Sequence, residues 1–266
     1  MPSKFGWVDF AEEDRRRMME ILHLFQEQEI REELGIGTVR DAFSDTLFPG
    51  TSTLHTRAKY MLFVPWTFML LEKKLVPSHE IGTRSREAEI SLIHALLNAG
   101  EDEGVIGRVA RKDLKILPSY MYWSGLGIWG IRRFQGSLQQ YFRSMDGYYK
   151  QKQRAVHSDD REPVSTIWHN WDPHVVPSPN GFPYEAHLSL SFDEAEYLHD
   201  KILANCTHSL LAHLVDKAGP SSVGFVWRHP ECADFREDHQ KIIQHARNFS
   251  EVFYGASLLY NLMLSN

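Results

Sequence analysis

Cysteine is nearly missing from this chain. Cys206 and Cys232 are the only two, too few for a disulfide framework, and they fit a reducing compartment better than an oxidising one. Long apolar runs are missing as well. The longest, residues 60–71, falls short of the roughly 20 residues that cross a bilayer, so no membrane partner is expected. The opening MPSKFGWVDFAEEDRRR lacks the basic-then-apolar layout of a secretory leader, and a cytoplasmic location is the expectation. Positive charge is not in excess either. A net charge of −6 argues against diffuse affinity for nucleic acid or acidic membranes, while leaving room for a local patch. Neither a Gly-x-Ser-x-Gly elbow nor a Gly-x4-Gly-Lys-Ser/Thr phosphate loop occurs, which removes the two commonest handles for a hydrolase or nucleotidase.

What is present reads as one large domain or two small ones. The chain has 266 residues, 42% apolar and 24% charged, the proportions of a globular protein with room for a substantial core. Aromatics are plentiful at 12%, with seven Trp and fifteen Phe.

The chain is organised around residues 35–71. There a short helix carrying Phe43 and Leu47 meets a Pro49-Gly50 turn. Thr51-Ser52-Thr53 is then expected to cap a long apolar helix, with Arg57 and Lys59 in its first turns and a kink at Pro65. Before it, Met18, Ile21, Leu22 and Phe25 fall at helical spacing behind the acidic pair Glu12 and Glu13. After it, Ile90, Ile93, Leu96 and Leu97 mark a helix ending near Gly100, and Ser119 after Pro118 opens another.

Between 155 and 190 lie Pro163, Pro173, Pro177, Pro179 and Pro183, with Trp168 and Trp171 among them. This is read as an irregular arm packed against the rest. Ser191 and Glu194 form a capping box for a helix to about Ala204. A last helix from about Phe235 grows more apolar towards SLLYNLML and stops without a cap, so a continuation of the chain is expected. The fold class is mainly α, with few or no strands. Its parts are 1–154 as an N-terminal helical domain, 155–190 as arm or linker, and 191–266 as a C-terminal helical part.

Charge is unevenly spread. Residues 104–154 carry ten basic side chains and only two acidic ones, Asp113 and Asp146. Tyr120, Tyr122, Trp123, Trp129, Phe134, Tyr141, Phe142, Tyr148 and Tyr149 are interleaved with them. Basic groups neutralise phosphates and exposed aromatic faces stack on unpaired bases. The candidate nucleic-acid contacts are therefore Arg108, Arg111, Lys112, Arg132 and Arg133, extended by Arg40, Arg57 and Lys59 beside the Pro-Gly turn. On this reading, charge reversal at Arg132 and Arg133 abolishes binding. The bland alternative puts Trp123 and Trp129 in the core and pairs the positive charges with the acidic C-terminal half.

Other chemistries carry less. Gly125, Gly127 and Gly130 match the spacing of a dinucleotide fingerprint, but no buried strand precedes them, and tight packing between aromatic helices explains them better. Cys206, His208 and His213, with His229, Cys232 and His239, have ligand-capable side chains but no paired Cys-x-x-Cys unit, so no metal is assigned. His199 opens a phospholipase-D-like pattern that fails at Cys206. Glu72-Lys73-Lys74 has the carboxylate–x–lysine spacing of many nucleases but ends an apolar helix. His169 and Asp172 offer a base and an orienting carboxylate without a nucleophile. No cofactor is implied.

Several stretches together, GWVDF at the start, IGTVRDAFSDTLFPGTSTLHTRAKY, LPSYMYWSGLGIWGI and HARNFSEVFYGASLLYNLML, resemble an uncharacterised family of bacterial proteins, a domain of unknown function associated with phage-defence gene neighbourhoods. The resemblance covers nearly the whole chain. It implies a cytoplasmic bacterial protein working beside helicase or nuclease subunits, and brings no catalytic residues to carry over. The leading reading is thus a non-catalytic component of a defence or nucleic-acid-handling complex, acting by protein–protein contacts and binding DNA or RNA. The alternatives are a nuclease or other metal-dependent enzyme assembled only in three dimensions, with Glu72, His94, His169 and Asp172 among its members, and a pure scaffold.

Overall fold

A computed structural model describes residues 35–157, 169–217, 219 and 223–265. The expected first helix, with Met18, Ile21, Leu22 and Phe25, and the arm positions Pro163 and Trp168 lie outside the described residues.

Eight α-helices follow one another among the described residues: α1 (Ile36–Leu47), α2 (Tyr60–Lys73), α3 (Ile81–Asn98), α4 (Pro118–Ile128), α5 (Leu138–His157), α6 (Phe192–Asn205), α7 (Leu210–Lys217) and α8 (Glu237–Ser265). No strand is present among them, and a lone antiparallel bridge joins Arg132 to Trp171. The fold is mainly α. Packing divides the chain into two units, 1–42 and 43–266. In the first, the described residues are the opening of α1, where Arg40 pairs with the adjacent Asp41 at 2.9 Å.

The second unit is built round α2. Its sequence YMLFVPWTFMLL is apolar on every face, and such a helix must be surrounded. Tyr60 through Phe68 are all buried, and α2 continues through Pro65. Helices α3 and α4 pack on it. The arm adds Trp171, Val175, Phe182, Ala186 and Leu188, and α6 adds Tyr197, Leu198 and Ile202, all in one core. A smaller cluster joins Leu47, Leu210, Phe235 and Ile243.

The hydroxyls after the Pro-Gly turn do not cap α2, which begins later than the sequence pattern implies. Thr51 Oγ1 donates to the Phe48 carbonyl and Ser52 Oγ accepts from Leu54 N–H, so both are consumed inside the turn. Residue 59 occupies the cap position without a capping side chain, and Arg57 precedes the helix. The capping box of α6 forms as its sequence predicts, Glu194 N–H to Ser191 Oγ and Ser191 N–H to Glu194 carboxylate.

The fingerprint-spaced glycines lie in α4 and just beyond it. A Cβ on Gly125 would sit 2.3 Å from the Gly50 carbonyl oxygen, so the glycine is what lets α4 approach the Pro49-Gly50 turn. Trp129 Nε1 donates to the Pro49 carbonyl in the same contact.

Candidate functional site

The end of α2, the second half of α5 and the arm at residues 169–173 enclose a cleft of about 290 Å³. Its lining includes Glu72, Lys73, Tyr148, Lys152, His169 and Asp172. Three of the four residues named for an enzyme, Glu72, His169 and Asp172, are thereby brought together. His94 is not: it lies exposed on α3, away from the cleft.

Both carboxylates are already engaged. Glu72 Oε1 accepts from Tyr141 Oη at 2.6 Å, Asn170 Nδ2 at 3.0 Å and Trp171 Nε1 at 3.0 Å. These donors come from α5 and the arm, so Glu72 is what fastens the arm to α2. Burial, and then the Glu72 charge, pushes the Tyr148 hydroxyl up to about 12 and Tyr141 well above its ordinary value.

Asp172 is fully buried. Its Oδ1 accepts from Arg133 at 2.8 Å, and its Oδ2 accepts from Lys201 at 2.6 Å and Tyr197 Oη at 3.2 Å. Burial pushes the Asp172 carboxyl up, but Lys201, Tyr197 and Arg133 outweigh it and hold the group below its usual range. A carboxylate so held is a poor general base, because each of those partners opposes its protonation. Chemically, the cleft offers Asp172 with both oxygens engaged and Glu72 with three donors on Oε1, rimmed by Lys73, Lys152 and His169.

The candidate nucleic-acid residues separate into five groups. Arg57, Arg108, Arg111 and Lys112 lie on or beside loop 102–113, which is anchored in the core by Val105 and Ile106 and otherwise mostly open to solvent. Arg57 lies across Gly104 and donates to the Glu103 carbonyl, and Arg108 pairs with Asp102 at 2.7 Å. Arg86, which the sequence did not single out, joins them by donating to the Lys112 carbonyl. Lys59 is buried in an ion pair with Glu194, also donating to the Ser189 carbonyl at 3.0 Å.

Arg132 is an internal clamp. It donates to the carbonyls of Trp123, Phe134 and Gly136 and stacks on the Trp123 ring at 4.7 Å. Arg133 is tied to Asp172, and Arg40 belongs to the first unit. The aromatics expected to stack on bases are mostly core: Tyr122, Trp123, Trp129, Tyr141, Phe142 and Tyr149 are buried. Reversing charge at Arg132 would therefore unseat the fold, and loop 102–113 is the surface on which to test binding.

The Cys/His clusters do converge, but on a ring. His213 and His229 both pack against Phe235, and His239 Nε2 lies 2.9 Å from the His208 carbonyl. Among the described residues no three His, Cys, Asp or Glu side chains are arranged to hold a metal ion. No helix there is long and apolar enough to cross a membrane.

The most exposed apolar surface lies on α8. Its N-terminal half packs beside the turn Val226–Arg228 and brings Phe249 to 6.0 Å from Phe43. Beyond the ion pair Arg247–Glu251 no charged residue follows, and large apolar side chains stand exposed on every face. Val252, Met263 and Leu264 are exposed by 73%, 70% and 68%. The sequence signal was the charge-free stretch itself, in which apolar density marked the helix but not its exposure.

Residues 2–266 match the family model of DUF6361, described as a family of unknown function. No curated protein and no solved structure matches the chain.

Proposed function

Since the chain belongs to DUF6361, a family of unknown function, we propose its role from its surfaces: it is a subunit that works through contacts with other macromolecules, not through chemistry of its own. The observation that carries this reading is the uncharged, apolar, exposed half of α8. Exposed apolar area of this extent marks an interaction surface, and a helix apolar on every face is stable in water only when something encloses it. The hold on Asp172 supports the same reading, because Arg133, Lys201 and Tyr197 all oppose its protonation. On the resemblance of its motifs, the setting is a bacterial anti-phage defence or nucleic-acid-handling complex with helicase or nuclease subunits.

The test is the size of the native assembly. Tagged and expressed in its own host, the wild-type chain is expected to elute well above the 30.9 kDa of one chain. The double variant Leu259→Glu/Met263→Glu is expected to elute as a single chain. A wild-type chain that elutes alone would overturn the reading.

A second contact, with nucleic acid, is favoured by loop 102–113. Three separate segments bring basic side chains to it: Arg57 reaches Glu103 and Gly104, Arg86 reaches Lys112, and Arg108, Arg111 and Lys112 lie on the loop itself. Arg111 holds φ at +46°, a conformation that a non-glycine residue adopts at some strain and that is over-represented at functional positions.

A further inference from the structure

We propose that the exposed half of α8 is the interface of a homodimer, and that its occupant is α8 of a second copy of this chain. The inference rests on the assembly reading above and names the partner. Three observations on α8 point to self-association.

The first is charge. After Glu251 the helix carries no charged residue, whereas the whole chain carries −6. A two-fold contact sets a surface against its own copy, so a charge near the axis meets its like and a charge elsewhere needs an opposite charge on the same surface. The end of α8 is the exposed helix face from which that penalty is absent.

The second is spacing. Phe249, Val252, Ala256, Leu259 and Met263 recur at alternating intervals of three and four, the pattern of a helix–helix seam. The seam begins where half-buried Phe249 meets half-buried Phe43, and continues unbroken onto the exposed half. Midway along it, Gly255 has no heavy atom within 4 Å of where a Cβ would stand. With Ala256 it leaves room for a second helix axis to cross closely.

The third is area. Val252, Tyr254, Leu259, Tyr260, Met263 and Leu264 are each exposed by 59% or more. The two tyrosines offer most of the roughly 150–250 Å² that an aromatic side chain can bury, and the four aliphatic side chains bring the exposed half to several hundred Å² per chain. A pair that covered most of this on both chains would reach the lower end of the roughly 1,200–2,000 Å² of stable specific interfaces.

The experiment is sedimentation equilibrium or light scattering of the purified full chain, from submicromolar to tens of micromolar. The wild type is expected as a dimer across the micromolar range. Leu259→Glu and Met263→Glu are each expected to weaken dimerisation at least ~100-fold, since each charge enters the seam twice. Val109→Glu, on a residue 87% exposed in loop 102–113, is expected to leave the dimer intact. Circular dichroism and melting of the variants separate lost pairing from lost folding, because the changed side chains touch solvent in the single chain. A purified wild-type monomer at tens of micromolar would overturn the homodimer. If the native-host assembly were nonetheless larger than one chain, the assembly reading would survive with a different partner. If both were single chains, both readings would fall.

Discussion

Glu89 is a side chain whose ionisation the fold opposes. It projects from α3 into the start of α4, fully buried, where Ser119 N–H donates to its Oε2 at 2.9 Å. Its Oε1 and the Ser119 hydroxyl make no hydrogen bond among the described residues. Burial pushes the Glu89 carboxyl from 4.5 up to about 7, only partly offset by the Ser119 N–H and the charge of Arg86. The folded state therefore binds this proton more tightly than the unfolded state. The contribution is most favourable below pH 4.5 and is lost as pH rises towards 7, by roughly 3 kcal/mol. Glu89→Gln keeps an acceptor for Ser119 N–H without a charge. It is expected to be more stable than wild type at pH 8 by roughly 2–3 kcal/mol and about equal at pH 4.5, measured by urea unfolding. A variant retaining the wild-type slope between those pH values would show that Glu89 is not the titrating group.

At the scale of elements, α2 and α6 are joined by a buried ion pair. Lys59, at the cap position of α2, meets Glu194, the third residue of α6 and the acidic member of its capping box, and both side chains are 8% exposed. One carboxylate thus caps α6 and neutralises a buried ammonium. Removing the ammonium alone leaves a charge without compensation, so Lys59→Met is expected to lose about 3–5 kcal/mol of stability. The double variant Lys59→Met/Glu194→Gln is expected to recover most of it, because no charge remains buried. A single variant within about 1 kcal/mol of wild type would mean that water reaches the pair.

The elements also show what was legible in the sequence. The α6 capping box, the central apolar helix and the glycine stop after α3 are local signals, and each survives because its physics lies within a few residues. Thr51-Ser52 is also a cap by composition, but the same hydroxyls can close a turn, and here the turn wins. The interleaved basic and aromatic residues of 104–154 gave no clue to facing. Trp123 and Tyr141 point into the core because α2 lies on that side, and Arg132 turns inward to close the loop after α4. The cleft was legible only as unconnected names, since Glu72 meets Asn170 across a separation of 98 residues.

For the whole molecule, charge decides how a polyanion would be received. With −6 overall, long-range attraction is weak, and any binding must come from a local patch and fade with salt. Fluorescence anisotropy with single- and double-stranded DNA and RNA at 50 and 200 mM salt is the measurement. Salt-sensitive binding is expected, reduced at least tenfold by Arg108→Glu/Arg111→Glu/Lys112→Glu. Arg133→Glu is expected to change stability, through Asp172, more than binding. No binding at low salt, or binding indifferent to the triple variant, would leave loop 102–113 without this role.

Three polar groups on α2 and at its cap find partners that come much later in the chain. Trp66 Nε1 donates to the Val176 carbonyl, Glu72 receives Asn170 and Trp171, and Lys59 waits for Glu194. The gap is 98 to 135 residues. At about 5–20 residues per second of synthesis, the most apolar helix of the molecule spends roughly 7–27 seconds as nascent chain before its last partner exists. During that interval α3 and α4 can cover part of it, but the sides that the arm and α6 close stay open, and their protection falls to whatever meets them at the ribosome.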